Sequence, residues 1–590
     1  MSRTALKIAG ESGSLSTAGN IVIQCLRQQG YFVYSEREFP SLIKGGRANF
    51  QINYAKYPIR SLSHHIPIGV ALDREGVLDC LDTLSEGGIL IHGFDRWNKV
   101  IKDLVDRAEA KNLQVIEIPA RLMAESLGGS AIMVNTILTG FLFKILGLDL
   151  QPMIDALSKA LAKKPALLAI NIECAKAGYD FVPEIELNVE SLIKNQPTSL
   201  DQDLPIDHLF VDGNTALALG AIQAGCRVHY QYPMSPSTTV LINLAAMANK
   251  TGMLIKQAED EISAAQLALG SMHMGARALT ATSGGGLDLM TETISLSGMI
   301  ETPLVIINVQ RPGPATGLPT WTGQADLNLA IYAGHGEYGR AVIACSDPTD
   351  CFINMQQAFN VAEKYQIPVI LLSEANVAMS STAISNFADQ KIAIERGLVA
   401  NPTEMTPDMR YKITESGVSH RWLPGSSEAI YFANGDEHAE DGSLDESPET
   451  SEMIAKRIRK LDTIKADMPD PEIFGPEIAD ITFIGWGSTK NTILDAMDQL
   501  VISNSTVTVN YMHYTYMYPL KTDKLLDFIT KNKNVILIEG SATGQLADLI
   551  TQKTGKILNN RMLKWNGRPF YVEDILDRVN QEVENLKTQS

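Results

Sequence analysis

Three consecutive carboxylates, Glu259, Asp260 and Glu261, stand where an apolar run of strand character, residues 253–257, gives way to a run of helical periodicity, 262–274, closed by Gly275. Carboxylates placed there have two uses. They favour a helix N-terminus electrostatically, or one of them, buried enough to raise its pKa, holds a proton on a ring nitrogen of a ligand. Glu261 is the first candidate for the second use, with Glu259 and Asp260 as competitors. Arg311 directly follows the apolar run 304–310. A guanidinium at a strand end suits a carboxylate, because its fork matches two oxygens; a plain surface cation is the alternative. Hydroxyls at Ser235 and Thr320 would complete such a grip.

The elements that must position these groups are short strands, each feeding a polar or glycine-rich turn and then a helix-length amphipathic segment. Residues 226–232 lead to Pro233-Met234-Ser235-Pro236, 277–282 to Ser283-Gly284-Gly285-Gly286, and 304–310 to Arg311-Pro312-Gly313-Pro314. Pro236 is expected at a helix start with Ser235 as its cap. Such units are parallel βαβ repeats, and in open α/β sheets ligands sit at the edge where the strands end.

The remaining sequence frames this core. Residues 1–196 read as one α/β domain, 197–205 as a polar linker, 206–385 as the domain just described, 386–471 as an acidic insert of structural or lid-like character, and 472–590 as a smaller α/β unit. In the first domain a glycine–serine turn at 10–16 is expected before a helix at 17–29. The formal charge of −18 speaks against a nucleic-acid or anionic-membrane surface. No secretory signal is visible at the start, and the most apolar helix, 131–146, carries Asn135 and Lys144 and is too short to span a bilayer comfortably. The six cysteines include no Cys-x-x-Cys pair, so a cytoplasmic protein with free thiols is expected.

Several of these motifs together resemble a known family. Tyr232-Pro233-Met234-Ser235-Pro236-Ser237 is similar to the Tyr-Pro-Ile-Thr-Pro-Ser signature of 2-oxoacid:ferredoxin oxidoreductases. The acidic turn ending at Glu261, the Thr282-to-Gly286 loop, Gln310-Arg311-x-Gly313-Pro314-x-Thr316-Gly317-Leu318-Pro319-Thr320, Gly334-His335-Gly336-Glu337, Gly435-Asp436-Glu437-His438 and Gly544-Gln545-Leu546 follow in that family's order. Ser41-x-Ile43-Lys44-Gly45-Gly46 resembles the family's gamma subunit, fused ahead of alpha. Three departures stand out: Ser235 for the usual threonine, Pro312 for a common glycine, and Ser541 where asparagine is frequent.

The resemblance implies an α/β fold in three parts: a gamma-type domain, a thiamine-diphosphate-fold pyrimidine-binding domain with a parallel sheet, and a transketolase C-terminal-like domain. It further implies that Glu261 is the activating glutamate and, with Pro233, a thiamine diphosphate contact, and that Arg311, Ser235 and Thr320 hold the substrate. No Gly-Asp-Gly motif followed by a suitably placed asparagine and no cysteine cluster is present. Mg²⁺, the diphosphate and a [4Fe-4S] cluster are therefore expected on a separate beta subunit, which would pass electrons to ferredoxin, with coenzyme A as co-substrate and an (alpha-beta)2 assembly. Among substrates the fused arrangement favours 2-oxoglutarate, with pyruvate or a broader 2-oxoacid range open. A transketolase-like transferase subunit and a non-catalytic scaffold subunit are the readings from other classes.

Overall fold

The computed structural model describes residues 3–589 except 11, 40–46, 94–101, 188, 190–197, 206 and 449; the motif at 41–46 lies outside the described residues. Short apolar runs rich in β-branched residues become its strands. The first part of the chain supplies β1 (Thr4–Gly10), β2 (Phe32–Glu38), β3 (Ala48–Ala55), β4 (Ile68–Ala71), β5 (Ile89–His92) and β6 (Gln114–Glu117). The middle supplies β7 (Leu209–Asp212), β8 (Val228–Gln231), β9 (Leu254–Gln257), β10 (Ala278–Thr282), β11 (Leu304–Gln310), β12 (Ala341–Ala344), β13 (Pro368–Glu374) and β14 (Ser381–Ile384). The last part supplies β15 (Glu472–Phe474), β16 (Ile481–Trp486), β17 (Val509–Tyr514), β18 (Tyr516–Tyr518), β19 (Val535–Glu539) and β20 (Arg561–Leu563).

These strands build three sheets, ordered β6-β5-β4-β1-β3-β2-β14-β7, β18-β12-β13-β11-β10-β8-β9 and β15-β17-β16-β19-β20. In the second, β8 to β13 pair in parallel, so the turns after them emerge along one edge. Its central strand β11 buries Leu304, Val305, Ile306, Ile307 and Val309 completely. Each such side chain contributes about 1.5–3 kcal/mol by leaving water, and that packed layer is the base from which Arg311 projects.

The sheets do not follow the order of the chain. Strands β7 and β14, from the second expected unit, extend the sheet of the first, with β14 antiparallel to β2 through Ser381↔Ser35 and Thr382↔Tyr34. From the last unit, β18 pairs antiparallel with β12. Side chains reinforce the joins: Asp495 accepts from Arg3 Nη1 at 3.0 Å, from Ser61 Oγ at 2.8 Å and from the Arg60 backbone N–H.

The acidic insert takes the opposite edge of the second sheet from the turns, so it is not a lid over them. Arg410 Nη2 donates to the carbonyls of Ile300 and Glu301, 3.0 Å each, just ahead of β11. From the helix Thr450–Asp467, Lys456 and Lys460 each place Nζ 2.6 Å from a Glu301 carboxylate oxygen, with all three side chains buried. Burial works against the Glu301 charge, yet the two ammonium groups and Arg410 hold its carboxyl well below the usual carboxylate range. Burial pushes Lys456 down to about 7. His438 and Glu437 of the Gly435-to-His438 motif are spent here too: His438 Nε2 lies 3.3 Å from the Met299 carbonyl, and Glu437 accepts both Arg457 guanidinium nitrogens. Glu301→Ala strands two buried lysines and is expected to cost about 3–5 kcal/mol. Amide hydrogen exchange checks this: protection should fall across 450–467 while β16 to β20 keep theirs.

Candidate active site

Where β9 ends, the chain turns through Ala258-Glu259-Asp260 into the helix Glu261–His273. The three carboxylates separate at once. Glu259 is exposed. Asp260 is the N-cap, its Oδ1 accepting the Ser263 N–H at 2.7 Å, and the Ser263 N–H and hydroxyl hold it below the usual carboxylate range. Glu261, the first residue of the helix, is 4% exposed, and its Oε1 is buried with no hydrogen-bond partner among the described residues. Burial, with the neighbouring Asp260 charge, raises its pKa. An unsatisfied buried acceptor costs about 1–3 kcal/mol, so the fold carries this group at a cost that a donor on a ligand would relieve.

Glu261 faces the turn after β10. A Cβ on Gly286 would lie 2.7 Å from Glu261 Cγ and 2.8 Å from Oε1, so the close approach requires glycine there. Next along the rim is the turn after β8. Its helix begins at Thr238, not at Pro236, and Ser237 rather than Ser235 is the N-cap. The reason is local: Ser237 Oγ donates to the Met234 carbonyl at 2.7 Å and accepts from Gln231 Nε2 at 3.0 Å, which uses Ser235 and Pro236 as turn. Pro233 and Met234 are thereby half-buried on the rim, and Ser235 is exposed.

Arg311 reaches across β10 to this turn, donating from Nη1 to the Ser235 carbonyl at 2.6 Å. The contact is to the backbone; the Ser235 hydroxyl makes no hydrogen bond among the described residues. Burial lowers the Arg311 pKa and Asp326 opposes the shift; a guanidinium remains a cation at neutral pH all the same. Thr320 lies half-buried farther along the same loop, with no hydrogen bond to Arg311 or Ser235 among the described residues. The structure thus joins Arg311 to Ser235, sets Glu261 on the same edge one strand beyond Ser235 and three from Arg311, and leaves Thr320 apart.

Three residues that the sequence reading did not single out hold this loop in place. Gln324, fully buried, accepts the Gly540 N–H at 2.6 Å and donates to the Trp486 carbonyl at 2.9 Å and to Glu374 Oε1 at 3.1 Å. Glu374, at the end of β13, also accepts from Thr322 Oγ1 at 2.7 Å and from the Ser488 N–H at 3.0 Å. Asp326 closes the loop, its N–H donating to Gln310 Oε1 at 3.1 Å. The loop is therefore shaped by the last domain, whose Arg568 also stacks on Trp321 at 4.1 Å and pairs with Glu38 of the first. Nothing in the local pattern marks these residues, because their partners lie 50 or more positions away for Glu374 and up to 216 for Gln324.

A parallel sheet whose rim carries a buried carboxylate with no hydrogen-bond partner among the described residues, and a guanidinium held on a backbone carbonyl, is an α/β arrangement with room in its chemistry for a hydrogen-bond donor and an anion. Residues 219–456 match the family described as pyruvate flavodoxin/ferredoxin oxidoreductase, thiamine diphosphate-binding, and residues 5–181 the family described as pyruvate ferredoxin/flavodoxin oxidoreductase. The chain is 31% identical to the 2-oxoacid:ferredoxin oxidoreductase subunit alpha of a Sulfolobus species, with 96% of this chain and 95% of that one covered. It is 28% identical to the 2-oxoglutarate oxidoreductase subunit KorA of Mycobacterium tuberculosis, over 93% and 87%. A solved structure, 2-oxoglutarate:ferredoxin oxidoreductase from Magnetococcus marinus with 2-oxoglutarate, coenzyme A and succinyl-CoA bound, superposes with a TM-score of 0.87 at 29% identity, over 98% and 99%. The chain belongs to the 2-oxoacid:ferredoxin oxidoreductase family, as an alpha subunit.

The residues present fit thiamine diphosphate on one side: Glu261 Oε1 needs a donor, and the Gly284-to-Gly286 turn opens the space in front of it. Among the described residues no group of three or more His, Cys, Asp or Glu is placed to hold a metal ion, and no helix is long and apolar enough to cross a membrane.

Proposed function

We propose that this chain is the alpha subunit of a 2-oxoglutarate:ferredoxin oxidoreductase, converting the 2-oxoacid and coenzyme A to acyl-CoA and CO2 while ferredoxin is reduced. The observation that carries this reading is the pairing of Glu261, buried and unsatisfied, with Arg311, tethered to Ser235, on one sheet edge. Bound thiamine diphosphate supplies the nucleophile and the electron sink for decarboxylation. The residues of this chain do the rest. Glu261 would hold the cofactor's pyrimidine ring through a proton shared with a ring nitrogen, and Pro233, half-buried on the same rim, would contact it. Arg311 binds the substrate carboxylate through its free guanidinium edge, and the hydroxyls of Ser235 and Thr320 orient the head group.

The beta subunit of this proposal carries the diphosphate with Mg²⁺ and a [4Fe-4S] cluster, and the assembly is (alpha-beta)2. Support for a partner on this rim comes from large apolar side chains left exposed on the helices that start there: Ile262 at 48% and Leu289 at 50%. A cytoplasmic site of action is supported by six cysteines that are all unpaired and buried. The 2-oxoglutarate assignment is supported by the mycobacterial relative and the Magnetococcus structure, named for that substrate.

The test is co-expression with a beta chain, followed by assay of the purified complex against 2-oxoglutarate, pyruvate and 2-oxobutyrate with a low-potential dye. A kcat/KM highest for 2-oxoglutarate supports the reading. Equal rates would make the enzyme a general 2-oxoacid oxidoreductase, and no coenzyme A-dependent reduction with any of them would end it.

A further inference from the structure

Asp326 is a carboxylate that the reading above does not use. It precedes the short helix Leu327–Tyr332, yet its side chain makes no cap bond to that helix. Its Oδ2 instead accepts from Asn308 Nδ2 at 3.0 Å on β11. The same carboxylate presses on the glycine turn from the side opposite Glu261: a Cβ on Gly284 would lie 2.7 Å from Asp326 Oδ2 and 3.0 Å from Oδ1. Two carboxylates therefore bracket one turn, Glu261 at Gly286 and Asp326 at Gly284. Because its backbone N–H is fixed on Gln310, Asp326 stands at the foot of the loop that Arg311 begins. The charged groups facing it are Arg311 from that loop and Asp288 from the helix Gly284–Leu289; Asn308 faces it from β11. Burial raises its pKa, with Asp288 adding to the shift and Asn308 and Arg311 opposing it.

We propose that Asp326 sets how strongly Arg311 holds the oxoacid carboxylate: its fixed negative charge partly offsets the guanidinium and so weakens the grip on any anionic head group. The proposal rests on the reading of Arg311 as the substrate clamp. It has an unusual sign. Loss of a contact raises KM, whereas loss of this charge lowers it. For opposite charges that act on each other across a half-buried rim, removing one changes the binding of an anion by about three- to tenfold.

The experiment uses the alpha–beta complex with Asp326→Asn, which keeps the shape and an acceptor for Asn308. KM for 2-oxoglutarate and the inhibition constant of N-oxalylglycine, its non-reacting amide isostere, should both fall three- to tenfold at pH 8, with thiamine diphosphate affinity unchanged. An unchanged or higher KM in an assembled, thiamine-loaded variant overturns the proposal. Should Asp326→Asn fail to assemble, Asp326→Ser takes its place, and an unchanged or higher KM there overturns the proposal as well. Arg311→Ala separates the two readings: if it too leaves KM unchanged, the clamp itself is wrong, whereas a raised KM there with no fall in Asp326→Asn removes only the role of Asp326.

Discussion

Glu261→Gln is expected to lower 2-oxoacid turnover by the assembled complex by about 10²- to 10⁴-fold, the range a positioned proton-transfer group supplies. The amide fills the same space beside Gly286 and keeps an oxygen, so the turn and the helix Glu261–His273 should stand. What it loses is the ability to take a negative charge and hold a ring proton. The native carboxyl sits above its ordinary value because burial disfavours its charge and Asp260 adds to that effect. It therefore keeps its proton to higher pH than an exposed glutamate, and gives it up as pH rises through that raised value. The limb of the rate–pH profile belonging to this group should vanish in the variant. Single-turnover reduction of the dye, with thiamine diphosphate binding measured separately, checks both points. Wild-type turnover in a variant that still binds the cofactor would remove Glu261 from the mechanism.

Arg311→Lys and Arg311→Ala should raise KM for the 2-oxoacid by about 30- to 1000-fold, since truncating one side of a desolvated charge pair costs roughly 2–4 kcal/mol. Lysine should recover little of this. The native guanidinium spends Nη1 on the Ser235 carbonyl and still has a second edge for the substrate, whereas an ammonium is a single point that cannot serve both. The KM values of both variants, with kcat from the same curves, decide it. A KM within twofold of wild type in either variant would show that the carboxylate is held elsewhere.

Much of this was legible in the residues. The run Leu304-Val305-Ile306-Ile307 could hardly be anything but a strand covered on both faces, and residues 304–310 are β11 as expected. The helix expected at 262–274 is Glu261–His273, with Asp260 capping it. What differs turns on side-chain choices that pattern cannot weigh. Pro236 suggested a helix start by a sound rule, but the Ser237 hydroxyl is engaged with Met234 and Gln231 and moves the start to Thr238. The glycine–serine segment near the N-terminus is shorter as a turn than expected, because the first helix begins at Ser12. Of the three acidic neighbours, only their burial distinguishes the capping Asp260 from the unsatisfied Glu261. Gln324, Glu374 and Asp326 were invisible for a different reason. Gln324 and Glu374 act through Trp486, Ser488 and Gly540, brought near by folding of the last domain, and Asp326 through Asn308 and Gln310, met where the loop returns to β11; nothing in their own neighbourhoods announces that.

The β2–β14 ladder has a practical corollary. A protease that nicks the exposed stretch around Asp201-Gln202-Asp203 would separate two fragments on a denaturing gel, yet β7 and β14 would still lie hydrogen-bonded beside β2. The cut molecule should elute as one species, and genes for the two pieces, expressed side by side, should complement each other into an intact fold.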